Sequence, residues 1–569
     1  MKKSLWNICA GLFATLCLAS AALADVKLPS IFGDHMVLQQ GSTLPVWGWA
    51  EPGEKVTVSL GGQKAETVAG ADGKWLVKLE PLKAGDVALD MVVESSHASR
   101  LTFHDVLVGE VWVCSGQSNM AWPLSATFSS PEIPKFNHPG IRLFKVGFKV
   151  AFEPQSDCEG QWVVCTPESV AGFSGVAYFF GRQLHETLRV PVGLIGSYCS
   201  GTPAQAWTSL ETLRAHECLK EYVDYFEKIR ADRVRIEEDY DKKYLPAWEA
   251  EHKKWLEECR KPYDQASQQW AAEVKKAKAE GKPLPPKPEL KQPEPHKYEC
   301  RTRRGDNPTV LHNGMIAPLM PFAIKGVIWY QGESNCNLPI LYRTLFPSLI
   351  TGWRQRWGQP PSPGSRPSQD GHSGHAGVPG GDFPFLFVQL ANSTGESSGV
   401  HLLREAQLRT LALPNTGMAV TMDIGEPKIH PRNKKDVGLR LALAARHVAY
   451  GQELVYSGPL YKSMKIEGDK VRLTFDHIGG GLMIASAPPS RPGDVPAPPA
   501  AELKGFTIAG ADKKFVPAQA KIEQDTVMVW SEQVKEPFAV RYGWMDTPDV
   551  NLYNKEHLPA SPFRTDDWK

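Results

Sequence analysis

Val106-Leu-Val-Gly-Glu-Val-Trp-Val-Cys114, followed at once by Gly116-Gln117-Ser118-Asn119-Met120, is the stretch on which the fold turns. A strand with one solvated face alternates apolar and polar residues, whereas one covered on both faces reads as a nearly continuous apolar run. The segment is of the second kind. It predicts a buried strand whose carboxyl end presents the Ser118 hydroxyl. Open α/β sheets bind their ligands in the crevice beyond those strand ends, where backbone amides can also face a developing oxyanion. Taken alone, a Gly-x-Ser turn is only a turn; chemistry requires a partner base.

Similar runs recur downstream at Val192-Gly-Leu-Ile195 and at residues 324–330, 385–390 and 418–422, with helical patterns between several of them. Doubly buried strands alternating with helices predict an α/β fold over residues 106–451, a mostly parallel sheet flanked by helices. Upstream, residues 25–105 alternate in short runs such as Val56-Thr-Val58-Ser-Leu60 and Trp75-Leu-Val77-Lys-Leu79, divided by Gly-Gly, Pro-Gly and Asp-Gly turns. That pattern predicts an N-terminal β-sandwich. Alternation returns over residues 452–569, as in Lys470-Val-Arg-Leu-Thr-Phe475, and predicts a C-terminal β-domain whose ending, Phe563 to Trp568, docks on the body.

Two segments read as insertions. Residues 211–297 are rich in Lys, Glu and Ala and carry Tyr240, Tyr244, Trp248 and Trp255 at helical spacing, with Pro246 and the Pro-rich stretch 283–295 as breaks. They predict a helical hairpin or cap with a solvated charged face. Residues 359–382 are mostly Pro, Gly, Ser and His with almost nothing to bury, and predict a flexible surface loop.

Residues 1–24 begin Met-Lys-Lys, continue as an uncharged apolar stretch to Ala21 and end Ala22-Leu23-Ala24 before Asp25. This is the charge, core and small-residue pattern of a secretory signal, so the expected location is secreted or periplasmic. No later run is long enough to predict a membrane span. A formal net charge of +1 supplies no basic field for nucleic acid. The 17 Trp residues suit sugar-facing surfaces as well as cores. Among the cysteines beyond residue 24, Cys158 and Cys165 are near enough in sequence to pair across a hairpin. No cysteine pair has zinc-site spacing with histidines, so no metal is expected.

A serine hydroxyl attacks only when a neighbouring base takes its proton. His430 lies after the 418–422 strand and before a helix beginning near Lys435, the position such a base would occupy. Oxyanion donors, each worth about 10²–10³ in rate, are available from two further loops. Gly201, after the 192–195 strand, lets its backbone amide be approached closely, and Asn335, after the 324–330 strand, offers a side-chain amide. Ser, Gly, Asn and His on four strand-end loops, in that order, are a specific combination.

At these residues the chain resembles the sialate O-acetylesterase-like carbohydrate esterases of the SGNH hydrolase superfamily. The likeness is carried by Gly109-Glu-Val-Trp-Val-Cys-Ser-Gly-Gln-Ser-Asn-Met120, Gly201-Thr-Pro-Ala-Gln-Ala-Trp207, His312-Asn-Gly-Met-Ile-Ala-Pro318, Trp329-Tyr-Gln-Gly-Glu-Ser-Asn335 and Ile429-His-Pro-Arg-Asn-Lys434. It extends to the flanking β-domains and the tail from Tyr542 to Trp568. The resemblance implies an SGNH-like fold, with Ser118 as nucleophile, the Gly201 and Asn335 amides as oxyanion donors and His430 as base. The superfamily often places an aspartate three residues before the histidine. Here that position is Pro427, and the next is Lys428. Asp423 is the preferred orienting acid, since the family carries an Asp-Ile or Asp-Leu step at that strand end. Glu426 is the alternative, and a dyad helped by a backbone carbonyl is a third arrangement.

The implied reaction is hydrolysis of an O-acetyl ester on a sugar, of sialic acid or xylan type, through an acetyl-Ser118 intermediate and without a cofactor. Gln117, Gln331 and Glu333, beside the catalytic positions, are the expected sugar-binding residues, with Glu333 equally readable as a buried brace. A non-catalytic glycan-binding protein, and a lipase or thioesterase on the same fold, are the alternatives. Retention of all four catalytic types weighs against the first and the polar, Trp-flanked loops against the second. Oligomeric state and the choice of glycan are left open by the sequence.

Overall fold

The computed structural model describes residues 25–97, 99–358, 382–392, 399–486, 498 and 501–568. The expected signal at 1–24 lies outside the described residues, as do the loop expected at 359–382 except for Asp382 and nearly all of the Pro-rich stretch 488–499.

A mixed sheet organises the molecule. Its path runs Thr416–Val420, Phe385–Gln389, Gly326–Tyr330, Arg100–Gly116, Val192–Tyr198, His138–Lys145, Trp162–Cys165. The first six are mutually parallel and the last is an antiparallel edge. The chain begins in the middle, at Arg100–Gly116, fills one side and then crosses to the other. The strand ending at Gly116 therefore borders the point where the order reverses, which is where open α/β sheets open a crevice.

Trp112 stands on one face, edge-on to Phe180 of helix Gly175–Leu188 at 5.0 Å. Trp329 stands on the other, against Phe346 and Trp353 of helix Pro339–Trp357. Both indoles are completely buried. The apolar runs are thus covered on both sides by helices, as their lack of alternation requires. Helices Gly175–Leu188 and Lys434–Val448 approach closely because Gly438 has no side chain; a Cβ there would lie 2.8 Å from the Phe180 nitrogen.

Arg100–Gly116 is longer than its apolar core. Its first half pairs antiparallel with Gly85–Ser95 and its second half with the parallel sheet, so it belongs to both arrays. The boundary expected between residues 105 and 106 falls inside this one strand. Strands Lys55–Leu60 and Lys74–Leu79 show the expected in-out alternation, with Val56, Val58, Trp75 and Val77 buried. Their core is continuous with that of the parallel sheet. After residue 452 a second core gathers Val471, Leu473, Ile508, Val527, Val540 and Tyr542 between antiparallel strands. Phe563 enters this core, stacked on Tyr461, and Arg564 reaches back to Glu405 at 2.9 Å, tying the tail to the α/β body.

The insertion takes a different form from a helical hairpin. One helical rod runs from Arg233 to Glu280, and the chain returns along it in extended form. Tyr240, Trp248, Trp255 and Trp270 donate to the carbonyls of Tyr298, Pro295, Gln292 and Pro285, an antiparallel ladder. The Pro-rich return has few amide protons with which to build a second helix, and its carbonyls serve as acceptors instead. Pro246 and Pro262 do not end the rod. Each follows a π-helical turn, Tyr240–Tyr244 and Leu256–Arg260, that contains the carbonyl its ring would otherwise strike.

Cys158 and Cys165 are both buried free thiols, so the pairing that their spacing allowed is not made; the other six cysteines from Cys114 onward are free as well. Among the described residues, no helix is long and apolar enough to cross a membrane.

Candidate functional site

Because six strands are parallel, their carboxyl ends share one edge of the sheet. The loops after Gly116, Tyr198, Tyr330 and Val420 consequently meet there, although each is about 80 to 130 residues from the next in the chain. At Gly116 the backbone turns at φ +138°, and a Cβ would lie 2.1 Å from the Tyr330 carbonyl oxygen, so only glycine lets the chain leave the strand beside its neighbour. Ser118 then opens the short helix Ser118–Ala121, half-buried, with Asn119 and Met120 turned inward.

Ser118 and His430 meet: His430 Nε2 is 2.8 Å from Ser118 Oγ. The imidazole is stacked on Trp122, with ring centroids 4.6 Å apart and 19° between planes. Burial, and after it the positive charge of Lys434, hold the His430 pKa below the usual imidazole value. The ring therefore stays an unprotonated proton acceptor to lower pH than a free histidine would.

Gly201 is exposed at φ +71°, with open space where a side chain would stand. Its loop is braced by Thr202, whose hydroxyl donates to the Cys199 carbonyl and accepts from the Trp207 indole. The Asn335 amide oxygen accepts from Ala204 N at 2.9 Å and Gln331 Nε2 at 2.7 Å, which fixes its orientation; one amide proton goes to Gln205 Oε1 at 3.0 Å.

The structure does not bring Asp423 to His430. Its carboxylate, 1% exposed, is held end to end by the Arg440 guanidinium at 2.7 and 2.6 Å, from the helix that follows the His430 loop. Glu426 is engaged by the backbone amide and guanidinium of Arg432. Among the described residues, no carboxylate is hydrogen-bonded to His430. The face of Trp122 packs flat against the ring.

The three residues expected to bind sugar lie within the wall of the site. Gln117 is buried and accepts from the Gly332 and Ser334 amides. Gln331 is completely buried, bonded to Asn335, Tyr342 and Thr202. Glu333 Oε1 accepts from Asn119 Nδ2, its Oε2 is buried without a hydrogen-bond partner among the described residues, and burial raises its pKa. The polar atoms of Gln331 are taken up inside the wall, whereas Glu333 keeps one carboxylate oxygen unpartnered and Gln117 is engaged through its side-chain oxygen.

Sequence reasoning missed Trp122, Gln205, Asn119 and Lys434. Asn119 and Lys434 both stand in the quoted motifs, but nothing in their spacing shows that they touch: Lys434 Nζ donates to Asn119 Oδ1 across 315 positions. Trp122 lies one helical turn beyond Ser118, a spacing equally suited to ordinary packing.

No family model matches the chain. Among characterised proteins it is 32% identical to sialate O-acetylesterase of Rattus norvegicus over 487 residues, 79% of each chain. It is 30% identical to that of Homo sapiens over 480 residues, 78% of this chain and 75% of the human one. Among solved structures it resembles a carbohydrate acetylesterase from Xanthomonas citri, with 35% identity and a TM-score of 0.71 over 95% of this chain and 100% of that one. A chain with these relatives along most of its length is a carboxylic ester hydrolase. It belongs to the sialate O-acetylesterase family.

Proposed function

We propose that this chain is an exported serine esterase that removes O-acetyl groups from sugars, with an SGNH-type site. The observation that carries the reading is the 2.8 Å contact between Ser118 Oγ and His430 Nε2 at the carboxyl edge of the sheet. The acetylated carbohydrate is inferred from the activities for which the relatives are named, and export from the pattern of residues 1–24.

In the first half-reaction His430 Nε2 takes the Ser118 proton while Oγ bonds to the acetyl carbon, giving a tetrahedral oxyanion. We assign its stabilisation to the Gly201 backbone amide and to the Asn335 amide proton not given to Gln205. The carbon–oxygen bond to the sugar breaks, and the proton on His430 passes to the departing sugar oxygen. Water then gives a proton to His430 and its oxygen to the acetyl carbon; acetate leaves and Ser118 regains its proton. The orienting role expected of Asp423 passes in this reading to the stacked Trp122, leaving a Ser118–His430 dyad. None of these steps draws on a cofactor.

Acetate release from O-acetylated sialic acid and from acetylated xylan, by the full chain and by Ser118→Ala, tests the reading. We expect release from at least one substrate and near-complete loss in a folded Ser118→Ala. Undiminished release by that variant would remove Ser118 from the chemistry.

A further inference from the structure

Lys434 is a cation in an expensive place. Its side chain is completely buried at the first position of helix Lys434–Val448, the positive end of the helix dipole, where a second positive charge is unfavourable. Among the described residues it makes no ion pair. Its ammonium group donates to the neutral amide oxygen of Asn119 and lies 5.1 Å from the centre of the Tyr330 ring. Conflicts of this kind between local preference and fold concentrate at functional sites.

Asn119 shows what the ammonium group holds. With its oxygen taken by Lys434, its nitrogen donates to two other loops: to Glu333 Oε1, two residues before Asn335, and to the Ile429 carbonyl at 3.0 Å, one residue before His430. Asn119 is itself the neighbour of Ser118. One buried amide therefore joins the serine turn, the loop carrying the oxyanion-donor asparagine and the loop carrying the base.

We infer that Lys434 is a positioning residue of the esterase site, acting through Asn119 to hold Ser118, His430 and the Gly332–Asn335 loop in register. The inference rests on the serine-esterase reading above. Lys434 never touches the reacting atoms; it fixes which way the Asn119 amide faces. The charged or titratable groups around it are Glu333 on the Gly332–Asn335 loop, Glu426 and His430 on its own loop, and the Tyr330 hydroxyl at a strand end, with Arg432 engaged by Glu426. Burial pushes the lysine down to about 7, so it is charged at the acidic pH where His430 takes up its proton.

Lys434→Met removes the charge and the donor while keeping an unbranched side chain shorter by one atom. With p-nitrophenyl acetate as probe, we expect kcat to fall roughly 10- to 100-fold with KM within about twofold. The acid limb of kcat/KM should also move to higher pH, because His430 protonates more readily without a cation beside it. Asn119→Ala should lower kcat to a similar extent and leave the acid limb in place, since Lys434 remains. A folded Lys434→Met with wild-type kcat and an unmoved limb would overturn the inference. Should that variant fail to fold, wild-type kcat in Asn119→Ala overturns it. Ser118→Ala, assayed alongside, separates the two claims. If it is active, the esterase mechanism fails; if it is inactive beside a wild-type-like Lys434→Met, only the positioning role fails.

Discussion

The indole of Trp122 lies flat against the imidazole of His430, 4.6 Å between centroids, and is itself anchored by its Nε1 proton on the Ala126 carbonyl at 3.1 Å. In the proposed mechanism the base is oriented by this aromatic face rather than by a carboxylate, and so depends on it. Stacking of this kind is worth about 0.5–1.5 kcal/mol, enough to favour one ring orientation about two- to tenfold. Trp122→Ala should lower kcat roughly tenfold with little change in KM, and Trp122→Phe should restore most of it. Steady-state kinetics on the two variants check this, and a wild-type rate in Trp122→Ala would show that the stack does not position the base.

Asp423 and Arg440 form a closed, buried pair, and removing one member leaves the other charge without compensation. Such a loss costs about 3–5 kcal/mol. Asp423→Asn should therefore lower the melting temperature by many degrees while the folded enzyme, assayed cold, keeps kcat within a few-fold. The opposite pattern, an unchanged melting temperature and a collapse of kcat, would return Asp423 to the role of orienting acid.

The depressed pKa of His430 has a definite sign in the pH profile. In the proposed mechanism its neutral form is the base; burial and Lys434 both disfavour the charged form, so activity should be lost only as pH falls through the lowered value. The acid limb of kcat/KM should thus lie below the ordinary histidine value of about 6.5. A limb at or above that value would mean that the ring is solvated in the free enzyme, or that another group is the base.

The helical rod and its extended return are joined through single aromatic donors. Trp248 gives its indole proton to Pro295 and lies under the Lys297 ammonium, 4.6 Å from its ring centre. Trp248→Ala removes both contacts, a loss of about 1–2 kcal/mol. Tryptic cleavage between residues 281 and 300 should accelerate roughly tenfold through local opening, with the melting temperature of the body unchanged. Mass spectrometry of the early fragments gives the measurement. Equal cleavage rates would show that the ladder does not hold the return leg.

Much of this protein was legible before any coordinates. The continuous apolar runs marked the parallel strands because burial on both faces removes the polar alternation, and parallel strands place all their carboxyl ends on one edge. That the loops with Ser118 and His430 would meet at one edge could be read from the order of the strands, and the structure brings these two side chains together. Pairings between side chains were another matter. Asp423 faces Arg440 because the helix after His430 carries that guanidinium beneath the strand end; Gln117, Gln331 and Glu333 turn inward because their polar atoms find partners in adjoining loops. Cys158 stays apart from Cys165, and Pro246 sits within a helix because a π turn precedes it. Sequence determined which elements would form and which chemistry they could carry, because periodicity and residue type are local. Only the tertiary structure decided which partner each polar group took, because a hydrogen bond or ion pair depends on distances of a few ångströms between segments that the chain order leaves unrelated.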